Sequence, residues 1–175
     1  MDEITATIKN RRSLGLEDIT SQEFLDVALK NAVEWCKGNL HKHIEKLSGE
    51  VDYAMFKYAV VDKLVSFDMC LDEQNPGLIL ISADKLKWYE QRESYFEEQG
   101  MRRSVLVDGR PMEIFGSVEI DPESMFVHEI TEFIASKDTE VFLHYISRME
   151  FPHDTGTRLE NINRLERGLE PWPEY

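Results

Sequence analysis

The segment DPESMFVHEITEFIAS, residues 121–136, most constrains what this chain can fold into. Asp121 is a residue type that caps helices, Pro122 suits the first helical position, and Glu123 suits the positive end of the helix dipole. The segment therefore predicts a helix from residue 122 to about residue 136. Its apolar residues would hold the helix against a core while one polar edge faces a cleft: Phe126, Val127, Ile130, Phe133 and Ile134.

Short strands are indicated on the amino-terminal side of this helix. The sequence DGRP lies between residues 104–107 and 112–115, and this pattern predicts a hairpin with a four-residue loop. Polar and apolar residues alternate over residues 117–120. This pattern predicts that they extend the second strand after a bulge at Gly116. The apolar run LILIS, residues 78–82, predicts a core strand.

Other segments have the spacing or composition of helices. They are a helix with a capping box at Thr20 and Glu23 that stops at Gly38, a buried central helix over residues 51–71, an amphipathic helix over residues 83–100, a helix over residues 139–149, and a last helix around Leu159, Ile162 and Leu165 that Gly168 closes. The expected fold class is α+β, mostly helical, with a small, largely antiparallel sheet before the helix of residues 122–136.

The length and organisation of the chain indicate one domain. A chain of 175 residues suits a single hydrophobic core, and no internal repeat or linker divides it. Residues 1–19 are polar without clean periodicity and are expected to form a flexible amino-terminal arm. Residues 20–175 are expected to form a single α+β domain.

The charge of the chain excludes two classes of partner. With 34 acidic and 20 basic residues, the net charge is -14, which would repel a nucleic-acid backbone or an anionic membrane surface. From the sequence we expect no membrane-spanning segment, since no apolar run is long enough, and no secretory signal. Cys36 and Cys70 lie in apolar stretches and are interpreted as free thiols, with a disulfide between them as the alternative; the expected location is the cytoplasm.

A candidate metal site lies within the helix of residues 122–136. His128 and Glu132 are four residues apart, so both side chains can reach one cation from the same helix face. Glu129 is rotated about 100° from His128 and can accept a proton from water that the metal activates, as in the H-E-x-x-H motif. The mixture of nitrogen and oxygen ligands makes zinc the expected ion.

A catalytic zinc usually has three protein ligands and one open position. We expect His144, on the following helix, to supply the third ligand. Glu150 is the reserve ligand, or a carboxylate that orients a ligating imidazole. His153 is assigned a catalytic role, contact with the substrate or with a developing oxyanion.

The sequence SVEIDPESMFVHEITEFIASKDTEVFLHYISRME resembles the core of zincin-like metallopeptidases over about residues 112–153. In that family a strand precedes a helix with an apolar-x-H-E-apolar-x-x-H pattern, and a later helix brings the third ligand. The resemblance implies that His128 is a ligand and that Glu129 is the general base. Glu132 stands where the family has a second histidine, and a carboxylate there would make metal-bound water less acidic.

Two interpretations follow. The first is a zinc-dependent hydrolase, peptidase-like, that acts on a peptide or protein through water activated by Glu129. The second is a non-enzymatic protein that keeps a similar scaffold and docks a basic partner on its acidic surface. In the second case His128, Glu129 and Glu132 would form a solvated helix edge, and His144 would be a core histidine.

Overall fold

The computed structural model describes residues 22–61, 69–83, 86, 94–96, 103–107, 110–114 and 117–172. These residues form four α-helices: α1 (Glu23–His43), α2 (Pro122–Lys137), α3 (Thr139–Ile146) and α4 (Pro152–Glu166). They also form a short 3-10 helix (Tyr53–Met55) and seven strands: β1 (Lys57–Val61), β2 (Met69–Leu71), β3 (Leu78–Ser82), β4 (Ser94–Phe96), β5 (Arg103–Val107), β6 (Arg110–Ile114) and β7 (Ser117–Glu119). The predicted α+β class is confirmed. The arm predicted for residues 1–19 lies outside the described residues.

The largest sheet is mixed, so the prediction of a largely antiparallel sheet is wrong. Its strand order is β1-β3-β2, with β1 parallel and β2 antiparallel to β3. β4 pairs with β7 and β5 with β6, both antiparallel. The core strand predicted over residues 78–82 is β3, which lies between its two partners. The error in strand direction arose because β1 was assigned to a helix.

The central helix predicted over residues 51–71 is the clearest error. The described residues of this segment form the 3-10 helix, β1 and β2. A continuous apolar run suits a buried strand as well as a buried helix, and its periodicity does not separate the two. The β-branched Val60 and Val61, beside the aromatic Tyr58, favour the extended conformation that the structure adopts.

The hairpin predicted before α2 is confirmed, with fewer residues between its strands than predicted. Val107 pairs with Arg110, so only two residues lie between the strands. The predicted four-residue loop is therefore wrong. A strand, β7, is present at the predicted position, but it pairs with β4 in a sheet separate from that of β5 and β6, so the prediction that it extends the second hairpin strand is wrong. The bulge predicted at Gly116 lies outside the described residues. β4 lies inside the segment predicted as a helix over residues 83–100. The helical prediction is therefore wrong at Ser94–Phe96.

α1 extends past the predicted stop at Gly38 and ends at His43. A glycine is tolerated in a helix at a modest cost, and here the apolar face continues on both sides of it. The buried residues of this face are Leu25, Ala28, Ala32, Cys36 and Leu40. Thr20, the predicted cap, lies outside the described residues, and Gln22 precedes the helix without a side-chain cap.

The carboxyl-terminal helices form the layer that carries the candidate site. α2 begins as predicted, with the Asp121 carboxylate accepting a hydrogen bond from the Ser124 backbone N–H at 2.8 Å. α3 ends earlier than predicted, and a turn that contains Met149 at a positive φ of 62° leads to α4. α2 packs against α1, α4 and β2, and its residues Phe126, Val127 and Ile130 are fully buried. Among the described residues, no helix is both long and apolar enough to cross a membrane.

Candidate metal centre

His128 and Glu132 form one half of the site, one turn apart on α2. The Nε2 atom of His128 lies 3.1 Å from the Oε2 atom of Glu132. The side chain of His128 is 10% exposed and that of Glu132 is 30% exposed. The pair therefore lies at the edge of the core, with the carboxylate nearer to solvent.

His153 supplies the other half from the first turn of α4. Pro152 begins this helix, and Asp154 accepts a hydrogen bond from the backbone N–H of Phe151, which fixes the helix start. The Nδ1 atom of His153 lies 3.1 Å from His128 Nε2 and 3.5 Å from Glu132 Oε2. The side chain of His153 is 68% exposed, so the site opens to solvent on this side.

The three donor atoms have the spacing of a metal-ligand set. Their separations are 3.1, 3.1 and 3.5 Å. Zinc bonds to nitrogen and oxygen of roughly 2.0–2.2 Å in a tetrahedron imply ligand separations of roughly 3.3–3.5 Å. His128, Glu132 and His153 can therefore hold an ion with little movement, and they leave a fourth position for water or substrate.

α4 approaches α2 closely behind the ligands. A Cβ atom at Gly156 would lie 2.9 Å from the backbone oxygen of His128 and 3.1 Å from its Nε2 atom. One turn further along α4, the buried Glu160 places its Oε2 atom 2.9 Å from His128 Nδ1. Both ring nitrogens of His128 thus have partners, one towards the interior and one towards the other two donors.

The buried charges shift the pKa values of the site strongly. Burial alone would lower the pKa of His128, but hydrogen bonds to Glu132 and Glu160 outweigh it and raise the pKa to about 10. Burial would raise the pKa of Glu132, but hydrogen bonds from His128 and His153 lower it to about 2. The metal-free site therefore holds a protonated His128 against ionised Glu132, and a cation would take over the role of that proton.

Glu129 follows His128 on α2 and is 7% exposed. Burial raises the pKa of its carboxyl to about 8, with His128 opposing the rise and Glu132 and Glu160 adding to it. A carboxyl with this pKa can exchange a proton near neutral pH, which is the property required of a general acid or base. Cys70, on β2, is free and half-buried, and burial together with the charge of Glu129 raises the pKa of its thiol to about 11.

His144 does not join the candidate ligands. Its Nε2 atom lies 2.7 Å from the Oε2 atom of Glu45, and its Nδ1 atom lies 3.1 Å from the guanidinium of Arg148. The structure thus places His153 where His144 was predicted, because α4 and not α3 presents a histidine to the polar edge of α2. His153 was assigned contact with substrate or oxyanion, and its ring instead lies among the donor atoms.

Glu150 is also directed elsewhere. Its carboxylate accepts hydrogen bonds from Thr155 Oγ1 at 2.9 Å and from Arg158 Nε at 3.0 Å. Arg158 in turn donates to the backbone oxygen of His43, so these contacts join the end of α1 to the start of α4. Glu150 is engaged in this ion pair, and Glu160 is the carboxylate that contacts an imidazole of the site.

The chain has no significant match among models of known protein families, among curated proteins or among solved structures. Within the part of the chain that the structure describes, His128, Glu132 and His153 are the one group of such side chains with metal-ligand spacing.

Glu160 and Gly156 are the site residues that sequence reasoning missed. Both lie on α4, of which the sequence predicts only the part around Leu159, Ile162 and Leu165; Gly156 precedes that part. His153, Gly156 and Glu160 are spaced i, i+3 and i+7, which is one face of a helix. This spacing on α4, considered together with His128 and Glu132 on α2, is the sequence pattern that could have identified Gly156 and Glu160 as site residues.

Proposed function

We propose that this protein binds a divalent metal ion through His128 Nε2, a Glu132 carboxylate oxygen and His153 Nδ1. Zinc is the ion that we expect. The observation that supports the proposal is the convergence of three donor atoms from two helices at ligand spacing. Two imidazoles and one carboxylate are a donor set that zinc accepts, and three protein ligands are typical of a catalytic ion.

We further propose that the site is hydrolytic and acts on a peptide or related amide. A bound zinc ion would supply Lewis acidity, which makes water more acidic and polarises a carbonyl. Glu129 is the residue that would hold the proton taken from that water, because burial keeps the pKa of its carboxyl near 8. The solvent-exposed side of His153 would leave room for a substrate to approach. The resemblance of residues 112–153 to zincin-like metallopeptidases is consistent with this chemistry.

Metal analysis tests the first step of the proposal. The full chain, stripped with a chelator and dialysed against zinc, is expected to hold one equivalent, and His128→Ala is expected to hold none. His144→Ala is the matched control, since this histidine contacts Glu45. A wild-type chain that takes up no metal would refute the proposed function and favour a non-enzymatic interaction protein.

Hydrolysis tests the second step. A zinc-loaded wild-type chain is expected to cleave members of a quenched fluorescent peptide mixture, and zinc-loaded Glu129→Gln is expected to bind the metal without cleaving them. Equal cleavage by both proteins would remove Glu129 from the mechanism. Zinc binding without cleavage of any peptide would limit the function to metal binding.

A further inference from the structure

Glu160 is the one carboxylate that contacts the inner nitrogen of His128 among the described residues. Its side chain is 7% exposed, and its Oε2 atom lies 2.9 Å from His128 Nδ1. It lies two turns after His153 on the same face of α4. One helix face therefore brings both a candidate ligand and a buried carboxylate to His128.

The contact determines which nitrogen of His128 can bind a metal. An ionised carboxylate only accepts hydrogen bonds, so His128 Nδ1 must carry the hydrogen in this pair. The neutral ring then has its lone pair on Nε2, the atom that faces Glu132 and His153. The opposite tautomer would place two acceptors against each other in the interior, where an unmade hydrogen bond is costly.

The ring also has little freedom to turn away. A Cβ at Gly156 would lie 3.1 Å from both Cδ2 and Nε2 of His128, so α4 packs closely against the Cδ2–Nε2 side of the imidazole. His128 and Glu160 are both buried, at 8% and 5% exposure of the whole residue, so their hydrogen bond is shielded from bulk solvent. The hydrogen bond to Glu160 thus sets the ring tautomer, and the packing of α4 beside Cδ2 and Nε2 restricts rotation of the ring.

We infer that Glu160 is a positioning residue of the proposed metal site: its carboxylate holds His128 with Nδ1–H towards the interior and Nε2 towards the ion. The inference rests on the proposed function, because it assigns a role in holding that same ion. It adds a second element to the site, His153-x-x-Gly156-x-x-x-Glu160 on α4, which complements His128-Glu129-x-x-Glu132 on α2.

A buried ion pair that serves only the fold would have the same coordinates, so the test must separate the two roles. Glu160→Gln retains an acceptor for Nδ1–H and removes the charge, whereas Glu160→Met keeps the volume and removes the acceptor. Asn161→Leu is the matched control, because Asn161 is equally buried on α4 and bonds the backbone of Trp172, outside the site.

Zinc affinity is measured for wild type and the three variants by competition with a chromophoric chelator, alongside unfolding in urea. Loss of a carboxylate that orients a metal-bound histidine typically weakens metal affinity about 10- to 100-fold. We expect about 10-fold for Glu160→Gln, about 100-fold for Glu160→Met, and no change for Asn161→Leu even where it lowers stability. A folded Glu160→Met with the affinity of wild type would overturn the inference and leave the proposed function standing.

Nitrogen-15 NMR of the zinc-loaded wild-type chain needs no variant and covers the case in which Glu160→Met does not fold. The expected spectrum shows His128 with a protonated Nδ1 and zinc on Nε2. Zinc on Nδ1 would overturn the positioning role although the chain binds metal. A wild-type chain without zinc affinity would instead refute the proposed function, and the inference with it.

Discussion

The Nε2 atom of His128 lies 3.1 Å from the Nδ1 atom of His153, although 25 positions separate the two residues in the chain. Without a cation, a proton on either His128 Nε2 or His153 Nδ1 can form a hydrogen bond between the two rings. With a cation, both lone pairs can point at the ion, and Glu132 completes the set. Substitutions or pH changes that favour the protonated pair of histidines are therefore expected to weaken metal binding, and the reverse.

The histidines of α3 and α4 are expected to differ sharply in their effect on metal binding. His153→Ala removes one of three donors and should weaken zinc affinity by more than about 100-fold, beyond the loss of an outer carboxylate. His144→Ala should leave the affinity unchanged, because His144 is paired with Glu45 at 2.7 Å. Chelator competition at near-neutral pH measures both, and equal losses in the two variants would contradict the assignment.

Glu129→Gln should stabilise the metal-free protein at alkaline pH. The folded pKa of Glu129 is about 8, above its ordinary value of 4.5, so the folded state keeps a proton that the unfolded state has lost. This carboxyl therefore lowers the free energy of unfolding progressively as the pH rises from 4.5 to about 8. Urea unfolding should show wild type and variant differing least below pH 4.5, diverging as the pH rises to about 8, and differing by a constant amount above it. A difference that does not vary between pH 4.5 and 8 would argue against a buried charge as the cause.

His128 should make metal binding and stability depend oppositely on pH. Its folded pKa of about 10 exceeds the ordinary 6.5, so its contribution to the stability of the metal-free protein is complete below pH 6.5 and disappears as the pH rises through 10. A zinc ion on Nε2 displaces one proton, so zinc should bind more tightly at higher pH.

The increase in melting temperature that zinc produces should therefore grow from pH 6.5 upwards. Thermal unfolding with and without zinc, at several pH values, measures this growth. His128→Gln, which cannot titrate, provides the baseline. An increase that does not vary with pH would contradict displacement of a proton from His128.

Gly156→Ala should destabilise the protein and weaken zinc binding together. The new Cβ would lie 2.9 Å from the backbone oxygen of His128, so α4 must move away from α2. Overpacking of this kind costs about 1–3 kcal/mol. Gly38→Ala is the control: among the described residues, nothing outside the adjoining residues and backbone of α1 lies within 4 Å of its Cβ position, and alanine there should stabilise the helix by about 0.5–1 kcal/mol.

Urea unfolding and zinc competition report the two effects of Gly156→Ala separately. Unfolding measures the cost to packing, and competition measures the displacement of His153 and Glu160 relative to His128. A variant with reduced stability and unaltered zinc affinity would mean that α4 adjusts without moving the ligands.

The start of α2 was predictable because its signals are local. Asp121 and Pro122 begin a helix wherever they precede an apolar periodic segment, and the four-residue spacing of His128 and Glu132 then places both on one face. Residues 51–71 were not predictable in this way. An apolar run satisfies the core as a strand or as a helix, and only the partners of β1 in the folded chain decide between them.

The position of His153 beside His128 and Glu132 was not predictable from local spacing. His144 and His153 both follow α2 at distances that a helical hairpin can span, and the choice depends on how α3 and α4 are rotated about their axes. The ring of His144 instead contacts Glu45, which is far from it in sequence. Glu160 was missed for a related reason: a buried carboxylate is recognisable as such only once its partner is known.

The exposure of His153 has a consequence for how a metal ion would exchange between the site and solvent. An ion bound beside this ring would remain in touch with bulk water, so loading and removal would not require the core to open. Exchange should then be bimolecular, with soluble chelators collecting the ion directly from the folded protein. The occupancy of such a site would follow the free metal concentration around it within its affinity range, as in a buffer or a sensor, and would not be fixed once at synthesis.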